Sequence, residues 1–84
     1  MRYYFNIEDG VIEHDTVGTD LPGLGDARSN ALRLAGSLLA EGAGADVWSG
    51  RPLKILVTTG PDATGDVVLE ITVSAREAAD VRPM

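Results

Sequence analysis

Only one long stretch of this chain has helical periodicity, and it lies between two pairs of alternating segments. From about residue 24 to about residue 42, Leu24, Ala27, Ala31, Leu32, Leu34, Ala35, Leu38 and Leu39 recur at helical spacing. At 100° per residue they occupy an arc of roughly 160°. Asp26, Ser29, Asn30, Arg33, Ser37 and Glu41 take the other side. A single helix with one apolar stripe covers one face of a sheet and leaves the other to water, loops or a partner. Arg28 falls inside the arc near its start, where its stem lies along the core edge and its head reaches water. Gly36 sits mid-helix at a cost of about 1 kcal/mol relative to Ala. Asp20 or Asp26 is the expected N-cap, and Gly42 and Gly44 end the helix.

The flanking segments read as two hairpins. Tyr3, Phe5 and Ile7 alternate with Tyr4, Asn6 and Glu8, which is strand periodicity. Asp9-Gly10 suits a type I′ turn into a short return strand at residues 11–14. Residues 15–25, punctuated by Gly18, Pro22, Gly23 and Gly25, read as a loop, and so do residues 42–52. Leu53, Ile55 and Val57, then Leu69, Ile71 and Val73, alternate in two further strands. Pro61-Asp62 and Gly65 mark the turn between them. The expected architecture is α+β: a two-layer ββαββ sandwich with one helix on a four-stranded antiparallel sheet. The expected strand order, in chain order of the strands, is 2-1-4-3. The 84 residues are expected to form one small domain, with residues 75–84, despite a short helical possibility there, a frayed tail.

Charge and composition narrow the function classes. The formal net charge is −6, which opposes general nucleic-acid binding, since that needs Lys and Arg on phosphates. Residues 1–26 hold six acids and one base, so the acidity belongs to the N-terminal third. There is no cysteine and one histidine, which excludes disulfides, thiolate chemistry and two-histidine metal sites within the chain. No apolar run approaches the ~20 residues of a membrane span. The N-terminus lacks an apolar signal core, so the expected setting is cytoplasmic, with no membrane partner.

Nothing in the sequence makes a catalytic, cofactor or metal constellation. Glu13, His14 and Asp15 are adjacent, and neighbours on a strand point to opposite faces. Asp9, Asp15, Asp20 and Asp26 do not have calcium-loop spacing. Gly18 to Gly25 precedes a helix but lacks the Gly-Lys-Ser/Thr of a phosphate loop. Ser29, Ser37, Ser49 and Ser74 stand in no nucleophile motif. The candidates that remain are for an interface. Trp48 is the only tryptophan and lies among small and polar loop residues. On the sheet face away from the helix, alternation places Tyr4, Leu56 and Val68.

The opening Arg-Tyr-Tyr-Phe-Asn-Ile-Glu-Asp-Gly, the central Asp-Leu-Pro-Gly-Leu before an Ala-rich helix, and the later Gly-Arg-Pro-Leu-Lys-Ile-Leu-Val resemble a family of small uncharacterised bacterial proteins. That family is a domain of unknown function with an R-Y-F-F-like first strand, an Asp-Gly turn and a Leu-Pro element. Gly23 stands where it usually has Asp. The resemblance implies fold and cytoplasmic setting, and no activity. Residues 3–41 are also similar, more weakly, to the N-terminal domain of HicB-type antitoxins, through Asp20-Leu21-Pro22-Gly23 and Asn30-Ala31-Leu32. Here the second strand is shorter than in that pattern, and no DNA-binding segment follows. The expected function is a non-enzymatic protein-interaction module, its partner an unidentified protein or a second copy in a homodimer. The alternative is an antitoxin-like inhibitor whose acidic third complements a small basic toxin. A small-molecule binder or enzyme is third.

Overall fold

The structure is a computed structural model that describes residues 1–78. Strands β1 (Arg2–Glu8), β2 (Ile12–Glu13) and β3 (Thr19–Asp20) precede helix α1 (Leu24–Leu38). A wide π-type turn over Leu39–Ala43 leads to the five-residue α2 (Gly44–Trp48). Strands β4 (Leu53–Thr58) and β5 (Val67–Val73) follow. The architecture is the expected α+β sandwich, with an antiparallel sheet of five strands in place of four.

The path across the sheet is β2-β1-β4-β5, and β3 pairs with β1 beyond β2. This corrects the expected 2-1-4-3 order: the first strand lies beside the third of the four expected strands, not beside the last. The cause is burial. β4 buries Leu53, Ile55 and Val57 beneath the helix and Thr58 on the other face. β5 leaves Val67, Glu70 and Thr72 exposed. The strand covered on both sides takes the interior, and the half-exposed one takes the edge.

The helix-facing core is the one alternation predicts. Tyr3, Phe5, Leu53, Ile55 and Val57 are buried, with Ile7, Leu69, Ile71 and Val73 packed around them. Burying each of the large aliphatic side chains in this set is worth roughly 1.5–3 kcal/mol relative to exposure. Ala27, Ala31 and Ala35, four residues apart, form the contact stripe of α1. Their small size lets the helix axis approach the sheet closely. The apolar arc is wider than this stripe, so Leu34 and Leu38 are half-buried while Leu32 stays 64% exposed.

Several local expectations are corrected. The β1–β2 connection is not a type I′ turn: Gly10 has φ +96°, while Asp9 is not among the positive-φ residues. Glu8 pairs with Ile12 around a three-residue loop in which the Asp9 and Val11 backbones bond each other. Neither Asp20 nor Asp26 caps α1. Gly23 is the N-cap, and no side chain bonds the helix end. Asp20 lies in β3, 3.1 Å from the N-terminal ammonium. Residues 44–48, expected as loop, are helical because Val47 docks into the core. Residues 75–78 are irregular, with Ala75 packed on the core. The rest of the expected tail, 79–84, lies outside the described residues. No helix among the described residues is long and apolar enough to cross a membrane.

Candidate functional site

The segment between β2 and β3 is tied over β1 by Asp15. One carboxylate oxygen, Oδ2, accepts the Phe5 N–H at 3.1 Å. The other, Oδ1, accepts the N–H groups of Val17 at 3.0 Å and Gly18 at 2.9 Å. Partial burial pushes the Asp15 carboxyl up, but the donors from Gly18, Phe5 and Val17 outweigh it, helped by the Arg2 charge. The net position lies below the ordinary aspartate value. Gly18 has φ +77° and lies against the Arg2 and Tyr4 side chains, where a Cβ would approach the Tyr4 ring to 2.8 Å. Beneath this strap Asn6 is fully buried. Its Oδ1 accepts the Asp15 N–H, and its Nδ2 donates to the Leu56 carbonyl and the Thr58 hydroxyl. Thr58 in turn donates to the Gly60 carbonyl.

This arrangement accounts for Asp15 among the acids singled out in the sequence. Asp15 is a structural acceptor with its lone pairs committed to backbone. Glu13 and His14 are exposed, and His14 Nδ1 lies 3.3 Å from Asp62 Oδ1 across to the β4–β5 loop. Among the described residues no three His, Cys, Asp or Glu side chains come together in a way that could hold a metal. An open cleft of about 460 Å³ runs between the β1 edge and α1, lined by Phe5, Ile7, Asp15, Asn30, Arg33 and Ser37 among others. Its one carboxylate is that of Asp15, the acceptor of the strap.

Of the expected interface residues, Tyr4 and Leu56 lie together on the sheet, while Val68 and Trp48 lie apart from them. Tyr4 and Leu56 share the face away from the helix, where both are half-buried, Tyr4 against Gly18. Around them lie Glu8, Lys54 and Glu70, with Lys54 Nζ 3.7 Å from Glu70. That face is mixed rather than apolar. Val68 leaves it altogether: the register steps from Val57 opposite Leu69 to Thr58 opposite Val67, so Val68 is the extra residue of a bulge and packs against the core. Trp48 is 62% exposed at the end of α2, in the helix layer.

The unpartnered surface lies elsewhere, along β5. Among the described residues no strand pairs with its outer side. Phe5 directs its N–H toward Asp15, away from β4, so the backbone groups of Tyr4, Asn6 and Glu8 face β4. Ladder alternation carries this through the sheet. Leu56 faces back to β1, Ile55 and Val57 face β5, and Leu69 and Ile71 face β4. The outward backbone groups of β5 are then those of Glu70 and Thr72. Alongside this edge a groove of about 260 Å³ runs between β5 and α1, lined by Arg28, Ala31, Leu32, Leu69, Glu70 and Ile71. Leu32 and this edge are the residues that sequence reasoning missed. The signal for Leu32 was its place at the margin of the apolar arc.

Among curated proteins and solved structures nothing matches the chain. The first-strand, Asp-Gly and Leu-Pro features lie on β1, its turn and the entry to α1, and the family model that matches spans all five strands. Its match over residues 2–74 places the chain in the family described as Domain of unknown function (DUF6894).

Proposed function

We propose that the chain is a protein-interaction module that accepts an extended segment along the β5 edge. The observation that carries this is the unpaired outer side of β5 next to an apolar groove and the exposed Leu32. Natural sheets blunt such edges with Lys, Pro, bulges or a covering element. β5 contains neither Lys nor Pro, and its bulge at Val68 protects only one end. Residues 69–73 are left as a straight pairing template. Strand addition draws affinity from main-chain bonds and selectivity from side-chain pockets beside them.

Thr72→Pro tests the proposal. It removes an outward N–H while leaving the bonds to β4, and edge strands tolerate proline in that position. In a crosslinked pull-down, wild type is expected to retain a bound species that Thr72→Pro and Leu32→Glu both lose. Equal retention by all three would sink the edge reading.

A second reading draws on charge. The acidic third forms the β1–β3 side of the sheet, opposite β5, and would suit a small basic partner of the kind an antitoxin-like inhibitor holds. Such a partner would survive Thr72→Pro and be released by added salt.

A further inference from the structure

We infer that the occupant of the β5 edge is a second copy of this chain, paired antiparallel about a two-fold axis that passes between the two copies of Ile71. This rests on the edge reading above and names its partner. An antiparallel self-pairing is isologous, so the strand must complement its own reversed sequence. Only Glu70 and Thr72 offer outward backbone groups within the straight part of β5. A register centred on Ile71 sets Glu70 opposite Thr72 of the second copy, and Thr72 opposite its Glu70. Both outward pairs are then used in mutual bonds. On the helix side, Ile71 meets Ile71, and Leu69 meets Val73, so apolar faces apolar throughout. A register centred on Glu70 would instead set two carboxylates directly opposite, which is unfavourable. A register centred on Thr72 would set Glu70 opposite Ser74, beyond the end of β5, so the Ile71 register is the one that uses both outward residues within the strand without opposing like charges.

The second layer fits the same symmetry. A two-fold axis normal to the sheet puts both α1 helices on one face, flanking the junction. Leu32, exposed on the β5 flank of α1, then covers the groove at the junction from each side. The charge distribution agrees as well. Five of the six acids of residues 1–26 lie on β1–β3 and their connections, at the far side of each sheet, with Asp26 on α1, while residues 27–84 are near neutral. This edge is the side on which two acidic chains approach with least repulsion.

Sedimentation of the full chain over a concentration series reads the mass directly. Wild type is expected at twice the chain mass, and Leu32→Glu and Thr72→Pro at the chain mass with unchanged circular dichroism. The register has its own readout. The chain has no cysteine, so Ile71→Cys introduces the only thiol. A non-hydrogen-bonded antiparallel pair has Cα atoms about 4.5 Å apart, within disulfide range. Ile71→Cys is therefore expected to oxidise to a covalent dimer, and Thr72→Cys is not, since it faces Glu70. A wild-type monomer at every concentration would overturn the second-copy inference, and so would a dimer unaffected by both variants. Should a monomeric chain still capture a different protein in a manner sensitive to Thr72→Pro, the edge reading would stand and the second copy alone would fall. Loss of both results would remove both readings.

Discussion

A single carboxylate does the work of a missing stretch of strand. β2 and β3 pair with the two ends of β1 and leave its middle uncovered at Phe5, where Asp15 supplies the acceptor. Asp15→Ala leaves the half-buried N–H groups of Phe5 and Gly18 without their partner, while water replaces the exposed contact to Val17. The expected loss is about 1–3 kcal/mol of stability, the usual cost of orphaning a buried donor, measured by urea unfolding. The pH dependence follows from the sign of the shift. The folded carboxyl sits below its unfolded value, so its contribution is fully present above about pH 4 and is lost as pH falls through the folded pKa. Wild type should lose stability on acidification below pH 4 more steeply than Asp15→Ala, and identical acid profiles would count against this role. Gly36 gives a prediction of opposite sign. A Cβ there meets nothing within 4 Å, so no close approach requires the glycine. Gly36→Ala should stabilise the protein by up to about 1 kcal/mol through helix propensity, seen as a raised melting temperature.

At the level of elements, the end of α1 is where glycine is required. Gly42 has φ +140°, and Gly44 lies so close to Leu39 that a Cβ would come 2.6 Å from its carbonyl oxygen. This contact turns the chain so that α2 delivers Val47 to the core. Gly44→Ala is expected to destabilise by roughly 1–3 kcal/mol, the scale of forced backbone shifts in a packed region. Comparing its unfolding midpoint with that of Gly36→Ala separates steric need from helix propensity, since the two should move in opposite directions. Both glycines are read from sequence as helix stops, and propensity alone cannot distinguish a stop from a wide turn that restarts the helix. Periodicity made the long elements legible: β1, β4, β5 and α1 lie where alternation and the 3.6-residue repeat place them. It could not show β3, because two residues carry no period, and Thr19–Asp20 is fixed by its pairing with Arg2 and Tyr3. Strand order escaped for a related reason. Alternation tells which face of a strand is apolar, while the exposure of Glu70 and Thr72 that marks β5 as the edge depends on its neighbours. The candidate surface was missed with it, since an unpaired edge is a property of the assembled sheet.

For the whole molecule, the arrangement of charge makes the proposed assembly distinguishable from a charge-driven one. Each sheet runs β2-β1-β4-β5, so pairing through β5 puts seven strand intervals between the two acidic edges. At about 4.8 Å per interval that is roughly 34 Å. The Debye length is about 8 Å at physiological ionic strength, so the two acidic edges are screened from each other. Backbone bonds and the contacts of Leu32, Leu69 and Ile71 would dominate the association, and these are weakened little by salt. Raising sodium chloride from about 0.1 M to 0.5 M should then change the dimer dissociation constant by less than about threefold. A basic protein held on the β1–β3 edge behaves otherwise, because its Coulomb attraction acts within one screening length and falls as salt is added. Sedimentation at the two salt concentrations is the measurement. A self-association lost at high salt would show that charge, and not the β5 edge, holds the copies together.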